Sequence, residues 1–264
     1  MRNADTTDVM KEINVSLQLA SARDLEGIVR TFGWCNSQGE QKCPFPPCEL
    51  FMVMECGRPF YGFRWQENAT VAEWKERKLL VKQFLTGVQT VHACGWIHGD
   101  ITPMNILYWP PAPPSLPRAK LCDFGKMMLK PTGTETRLAA WEFLAPEILE
   151  PKFGSRTYNQ KIDIWGLGLA LVYAWFLQIV ERAASMRDVA TWQSAMAKLS
   201  QRTSDICGLN TLVMKTLSRS PVNRPTATEA LAHECLDGVR HFSPTDQTVD
   251  LTGTEFSKDG KRMR

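Results

Sequence analysis

Ile97-His98-Gly99-Asp100-Ile101-Thr102-Pro103-Met104-Asn105-Ile106-Leu107 and, further along, Leu121-Cys122-Asp123-Phe124-Gly125 decide how this chain is read. Apolar residues flank both stretches, so each reads as a short strand or turn whose polar side chains project at one place. Asp100, Asn105 and Asp123 then form a set of three oxygen-bearing side chains near strand ends. A hard cation such as Mg2+ takes oxygen ligands, and it usually keeps water and substrate phosphates as the rest of its shell. A carboxylate left off the metal can accept a proton from an attacking hydroxyl. The competing reading is that both aspartates simply cap local backbone turns, as Asp commonly does.

Outward from this pair, the amino-terminal side is mixed and the carboxy-terminal side is helical. Lys11–Ala20 places Ile13, Leu17 and Ala20 on one helical face. Ile28–Trp34 and Leu50–Met54 read as strands, with a Pro- and Gly-bearing loop over Asn36–Pro47 between them. Thr70 and Glu73 form the sequence pattern of a capping box. The helix that follows carries a stripe of Leu80, Phe84, Val88 and Val91 and ends at Gly95. Pro110–Pro117 is too rich in proline for a helix or an inner strand and predicts a stiff surface insertion. Further helices are expected over Asp163–Ala183, Ser185–Leu199, Gly208–Leu217 and Ala227–Ala232, and from Ser243 the chain turns polar.

Composition excludes several classes. With 264 residues, 44% of them hydrophobic and 22% charged, the chain can bury a sizeable core. A net charge of +3 is too mild to argue for nucleic acid or an anionic membrane surface. No signal peptide is read at Met1–Met10, and Ile164–Val180, although almost wholly apolar, reads as a buried helix rather than a span. The location expected from this is cytoplasmic or nuclear. The eight cysteines are then expected as reduced thiols, and the group Cys35, Cys43 and Cys48 matches no common zinc spacing.

Taken together the two central stretches resemble the protein kinase family. His98-Gly99-Asp100-Ile101-Thr102-Pro103-Met104-Asn105 is similar to its catalytic loop, and Asp123-Phe124-Gly125 to its metal-binding turn. Leu144-Ala145-Pro146-Glu147 resembles the motif closing the activation segment. Asp163–Gly168 resembles the start of the buried central helix, and Asn223-Arg224-Pro225-Thr226 a late motif whose Arg pairs with the closing Glu. Five motifs stand in the family's order, and the resemblance covers roughly Lys11–Leu236.

The resemblance implies an α+β, two-lobe fold with a truncated small lobe over residues 1–56, a mainly α-helical large lobe over 57–240 and a loose tail over 241–264. It implies ATP and Mg2+ as cofactors and a protein substrate. Asp100 would deprotonate the substrate hydroxyl, and Asn105 and Asp123 would hold Mg2+. Leu107 would lie under the adenine and Met54 would gate the pocket. The backbone of Glu55 and Cys56 would bond the adenine edge. His98 and Phe124 would pack beneath the site, and Glu147 and Arg224 would form an ion pair. Cys122 would face the pocket, either as a reactive thiol or as a buried inert one.

The departures matter as much. Glu12 resembles the helix Glu that pairs with a phosphate-binding Lys, but neither that Lys nor a glycine-rich loop stands before it in this chain. Gly99 replaces the Arg before the catalytic Asp, so phosphorylation at Thr134 or Thr136 is expected not to be needed. Thr102 and Ala140 stand where Ser/Thr kinases have Lys and Thr. Three functions follow: a protein Ser/Thr kinase, a pseudokinase scaffold without turnover, or a small-molecule phosphotransferase of the aminoglycoside or choline kinase type, which shares the His-Gly-Asp spelling.

Overall fold

The computed structural model describes residues 6–20, 27–36, 50–60, 70–112, 115–129, 141–149, 159–175, 186, 188–201 and 208–239. The fold is α+β: a helix and short antiparallel strands lead into a mostly helical body. The expected tail from Ser243, Cys43, Cys48, Thr134, Thr136, Ala140 and the last part of the Asp163–Ala183 helix lie outside the described residues.

Helix α1 (Thr6–Ala20) buries Ile13, Val15, Ser16 and Leu19. The expected stripe of Ile13 and Leu17 is corrected here, because Leu17 is 38% exposed. Steps of three from Ile13 reach Ser16 and Leu19, and Leu17 falls off that face. Strand β1 (Thr31–Asn36) pairs antiparallel with β2 (Leu50–Met54). The strand expected from Ile28 thus begins at Thr31. Ile28 and Val29 are drawn elsewhere: Leu121 N–H donates to Gly27 C=O (2.7 Å) and Val29 N–H to Leu121 C=O (2.9 Å). Gly27 is essential to that approach. Its φ is +82°, and a Cβ there would lie 2.4 Å from the Gly87 nitrogen.

Helix α2 (Val71–Ala93) starts at the capping box. The Glu73 N–H donates to the Thr70 hydroxyl (3.3 Å) and the Thr70 N–H to the Glu73 carboxylate (2.6 Å). Leu80, Phe84, Val88 and Val91 are fully buried, so the expected stripe is the core-facing one. The short strand β3 (Arg58–Pro59) joins a three-stranded sheet with β5 (Ile106–Trp109) and β6 (Arg118–Leu121), while β4 (Trp96–Ile97) pairs with β7 (Met128–Leu129). The proline-rich insertion is the connection between β5 and β6, and Ala112 and Ser115 bond each other across it.

Helices α3 (Pro146–Leu149), α4 (Lys161–Trp175), α5 (Val189–Gln201), α6 (Leu209–Thr216) and α7 (Ala227–Leu231) complete the body. Helix α4 is apolar all round because it is buried all round: Ile164, Trp165, Leu167 and Ala170 are inaccessible. No helix among the described residues is long and apolar enough to cross a membrane. Helix α5 begins later than the Ser185 expected. Asp188 caps it, accepting from the Thr191 N–H at 2.8 Å.

Candidate active site

The segment between β4 and β5 is held in place from below by α4. Asp163, in the first turn of α4, accepts from the His98 N–H (2.8 Å) and the Gly99 N–H (2.9 Å). Its Oδ2 also accepts from His92 Nε2 at 2.8 Å. Burial would raise the Asp163 carboxyl, but the His92 hydrogen bond and charge and the Gly99 N–H outweigh it and hold it below its ordinary range. Gly99 takes φ +76°, a left-handed conformation that costs glycine little.

His98 is buried and structural, as expected. Its Nδ1 accepts from the Asp100 N–H (3.3 Å) and its Nε2 meets the Cys122 carbonyl (3.2 Å). A backbone N–H can only donate and a carbonyl only accept. These partners therefore assign the neutral ring with its proton on Nε2. The ring packs edge-to-face on Phe124, with centroids 5.5 Å apart.

The two polar turns are stitched together. The Asn105 side-chain amide donates to the Asp100 carbonyl (2.9 Å), and the Cys122 N–H donates to the Asn105 carbonyl (3.0 Å). Asp100 is 5% exposed, and its Oδ2 lies 2.8 Å from Lys126 Nζ. Asp123 is exposed and takes φ +63°, the one non-glycine residue with positive φ among those described. Its Oδ1 accepts from the Gly125 N–H at 3.4 Å. Asp is one of the few non-glycine residue types that enter this left-handed region readily.

Glu12 of α1 reaches the same turn: a Cβ on Gly125 would stand 3.3 Å from Glu12 Oε2 and 3.5 Å from Asp123 Oδ1. Burial and then the charge of Asp123 push the Glu12 carboxyl up. The residues expected to hold a cation would present hard oxygens, the Asp123 carboxylate and the amide oxygen of Asn105, whose NH2 is engaged by the Asp100 carbonyl. Among the described residues no group of three or more His, Cys, Asp or Glu could hold a metal by itself. That donor set suits Mg2+, which retains water and phosphate oxygens and does not require a protein cage.

The segment after β2, expected as a hinge, packs against β5 and β6. Leu107 on β5 approaches this segment, its Cβ 3.0 Å from where a Cβ on Gly57 would be. Not all the backbone groups expected to face an adenine are free to do so. The Glu55 N–H donates to the Arg30 carbonyl (2.9 Å), and the Cys56 carbonyl accepts from Trp109 Nε1 (2.8 Å). The Glu55 carboxylate turns to Lys120 Nζ (2.6 Å) and the Arg30 N–H (2.7 Å). Met54 is half-buried at the end of β2. The Cys122 thiol is buried, and burial together with the charges of Asp123 and Glu12 pushes it up to about 12, so it is protonated at neutral pH.

Below the site, Arg224 is clamped. Its guanidinium meets Glu147 in two contacts of 2.7 Å, donates to the Ser218, Lys161 and Arg219 carbonyls, and stacks over Trp165 at 5.0 Å.

The sequence singles out Asp100, Asn105 and Asp123 as candidates, but it does not indicate that Lys126 lies on Asp100 or that Asp163 anchors the loop. A lysine directly after Asp123-Phe124-Gly125 was the available signal for the first.

A family model described as the protein kinase domain matches residues 1–236. Sperm motility kinase 1 of Mus musculus is 30% identical over 193 residues, which is 70% of this chain and 37% of the relative. Serine/threonine-protein kinase dst2 of Dictyostelium discoideum is 23% identical over 240 residues, 87% of this chain and 19% of the relative. The glycogen synthase kinase-3 homolog YGK3 of Saccharomyces cerevisiae is 36% identical over 104 residues, 39% of this chain and 26% of the relative. The chain spans little more than a third of the sperm motility kinase's length.

Proposed function

The chain belongs to the protein kinase family, and on that premise we propose that it transfers the γ-phosphoryl group of ATP to a Ser or Thr hydroxyl of a protein substrate. The observation that carries this reading is the stitching of the two turns. Asn105 bonds the Asp100 carbonyl with its side chain and accepts from the Cys122 N–H with its own carbonyl, so Asp100 and Asp123 are referenced to one another through a single residue.

In this reading Asp100 orients the acceptor hydroxyl and takes its proton as the oxygen attacks phosphorus. Asn105 and Asp123 hold Mg2+, which when bound neutralises charge on the phosphate oxygens. Leu107 supports the adenine, and the Glu55 carbonyl and Cys56 N–H bond its edge beside Met54. His98 stays neutral and structural. The small lobe then comprises residues 1–56 and the catalytic lobe 57–240.

The test is transfer of radiolabelled phosphate from ATP with Mg2+ to dephosphorylated casein, comparing the parent with Asp100→Asn. Transfer by the parent and none by the variant is expected. Nucleotide binding without transfer by the parent would assign a binding module instead. Phosphorylation of choline or an aminoglycoside in place of casein would assign a small-molecule phosphotransferase.

A further inference from the structure

Lys126 stands immediately after Gly125, and its Nζ lies 2.8 Å from Asp100 Oδ2. The two residues belong to different turns, so this contact is a second tie between them, independent of Asn105. The Asp100 side chain is 8% exposed and the Lys126 side chain 37%. Beside a carboxylate so enclosed, a positive partner acts with little screening by water. The position two residues after Asp100 does not provide it, since Thr102 is buried and uncharged.

We infer that Lys126 is a positioning residue for phosphoryl transfer, orienting the Asp100 carboxylate and supplying the positive charge at the point of attack. The inference rests on the phosphotransferase reading above. The Met127 N–H donates to the Phe124 carbonyl (3.2 Å), and this turn fixes where the Lys126 backbone leaves the Asp123 segment. Its stem is long and partly exposed, so Nζ can remain on Asp100 while facing an incoming phosphate.

The chemistry balances without any added reactant. The hydroxyl oxygen forms a bond to the γ-phosphorus, the bond from that phosphorus to the bridging oxygen breaks, and its electron pair leaves on ADP. The hydroxyl proton passes to Asp100. Lys126 keeps its own protons throughout. As Asp100 becomes neutral, Lys126 loses its counter-charge, and its field falls on the phosphoryl oxygens when their charge is greatest.

The experiment is steady-state transfer to casein by the full chain, with Lys126→Met, Lys126→Gln and Lys126→Arg, each checked for folding by its thermal melt. Expected is a kcat loss of roughly 10–100-fold in the Met and Gln variants. KM for ATP should stay within about twofold, and most of the rate should return in Lys126→Arg. Parent-like kcat in Met and Gln, a change in KM alone, or an Arg variant as impaired as Met would overturn this role and leave the phosphotransferase reading standing. No transfer by the parent would overturn both.

Discussion

The side-chain amide of Asn105 donates to the backbone carbonyl of Asp100 at 2.9 Å, closing the loop between them on itself. One residue thus ties down the backbone of the proposed base, and in the proposed function its amide oxygen holds the cation. Asn105→Ala should remove both. A fall in kcat of about 10²–10³ is expected, comparable with removing a preorganised electrostatic group. Steady-state kinetics at saturating Mg2+ reads it, and a loss below tenfold would mean that Asn105 serves the backbone alone.

Asp163 carries the loop from beneath. Asp163→Ala would orphan the His98 and Gly99 N–H groups and leave His92 without its partner. A loss of about 3 kcal/mol or more in denaturant unfolding is expected.

The same residue has a pH signature. The Asp163 carboxyl is depressed in the fold from its ordinary 3.8. A depressed acid stabilises the folded state at pH above its unfolded value, and that contribution is lost as pH falls through the lower folded value. Denaturant midpoints measured from pH 7 down to pH 2 should therefore fall more steeply below about pH 4 in the parent than in Asp163→Asn. Parallel curves would show that Asp163 contributes nothing to acid sensitivity.

Arg224 and Glu147 form the other deep pair. Arg224→Met should cost about 3–5 kcal/mol, because it leaves a largely buried carboxylate uncompensated. A double-mutant cycle with Glu147→Gln should show clear coupling; additive losses would mean that Arg224 acts through the three carbonyls it bonds.

Cys122 should be inert. With its thiol pushed up to about 12, only roughly one part in ten thousand is thiolate at pH 8. Iodoacetamide under native conditions, followed by peptide mapping, should label the exposed Cys56 and Cys94 and leave Cys122 unmodified with or without ATP. Labelling of Cys122 that ATP blocks would reverse that assignment.

Much of this was legible in local pattern. Thr70 and Glu73 announce the start of α2, and Leu80, Phe84, Val88 and Val91 announce its buried face. The uniform apolarity of α4 announces a helix in mid-core. What periodicity could not carry was anything set by contacts between distant segments. Leu17 looks like a core residue until α1 is docked, and Ile28 looks like strand until Leu121 captures its neighbours. Lys126 looks like a surface lysine until Asp100 lies beside it, because nothing local specifies a partner 26 residues away. The backbone of Glu55 and Cys56 is expected at a ligand, but the Glu55 N–H is bonded to the Arg30 carbonyl for the same reason.

The most direct test is calorimetry of ATP binding to Asp123→Asn and Asp100→Asn with and without Mg2+. If Asp123 and Asn105 hold the metal, Asp123→Asn should lose the Mg2+-dependent part of the affinity, while Asp100→Asn binds as the parent does yet transfers no phosphate. Mg2+-dependent binding unchanged in Asp123→Asn, with transfer intact in Asp100→Asn, would contradict the convergence of these three side chains on one nucleotide.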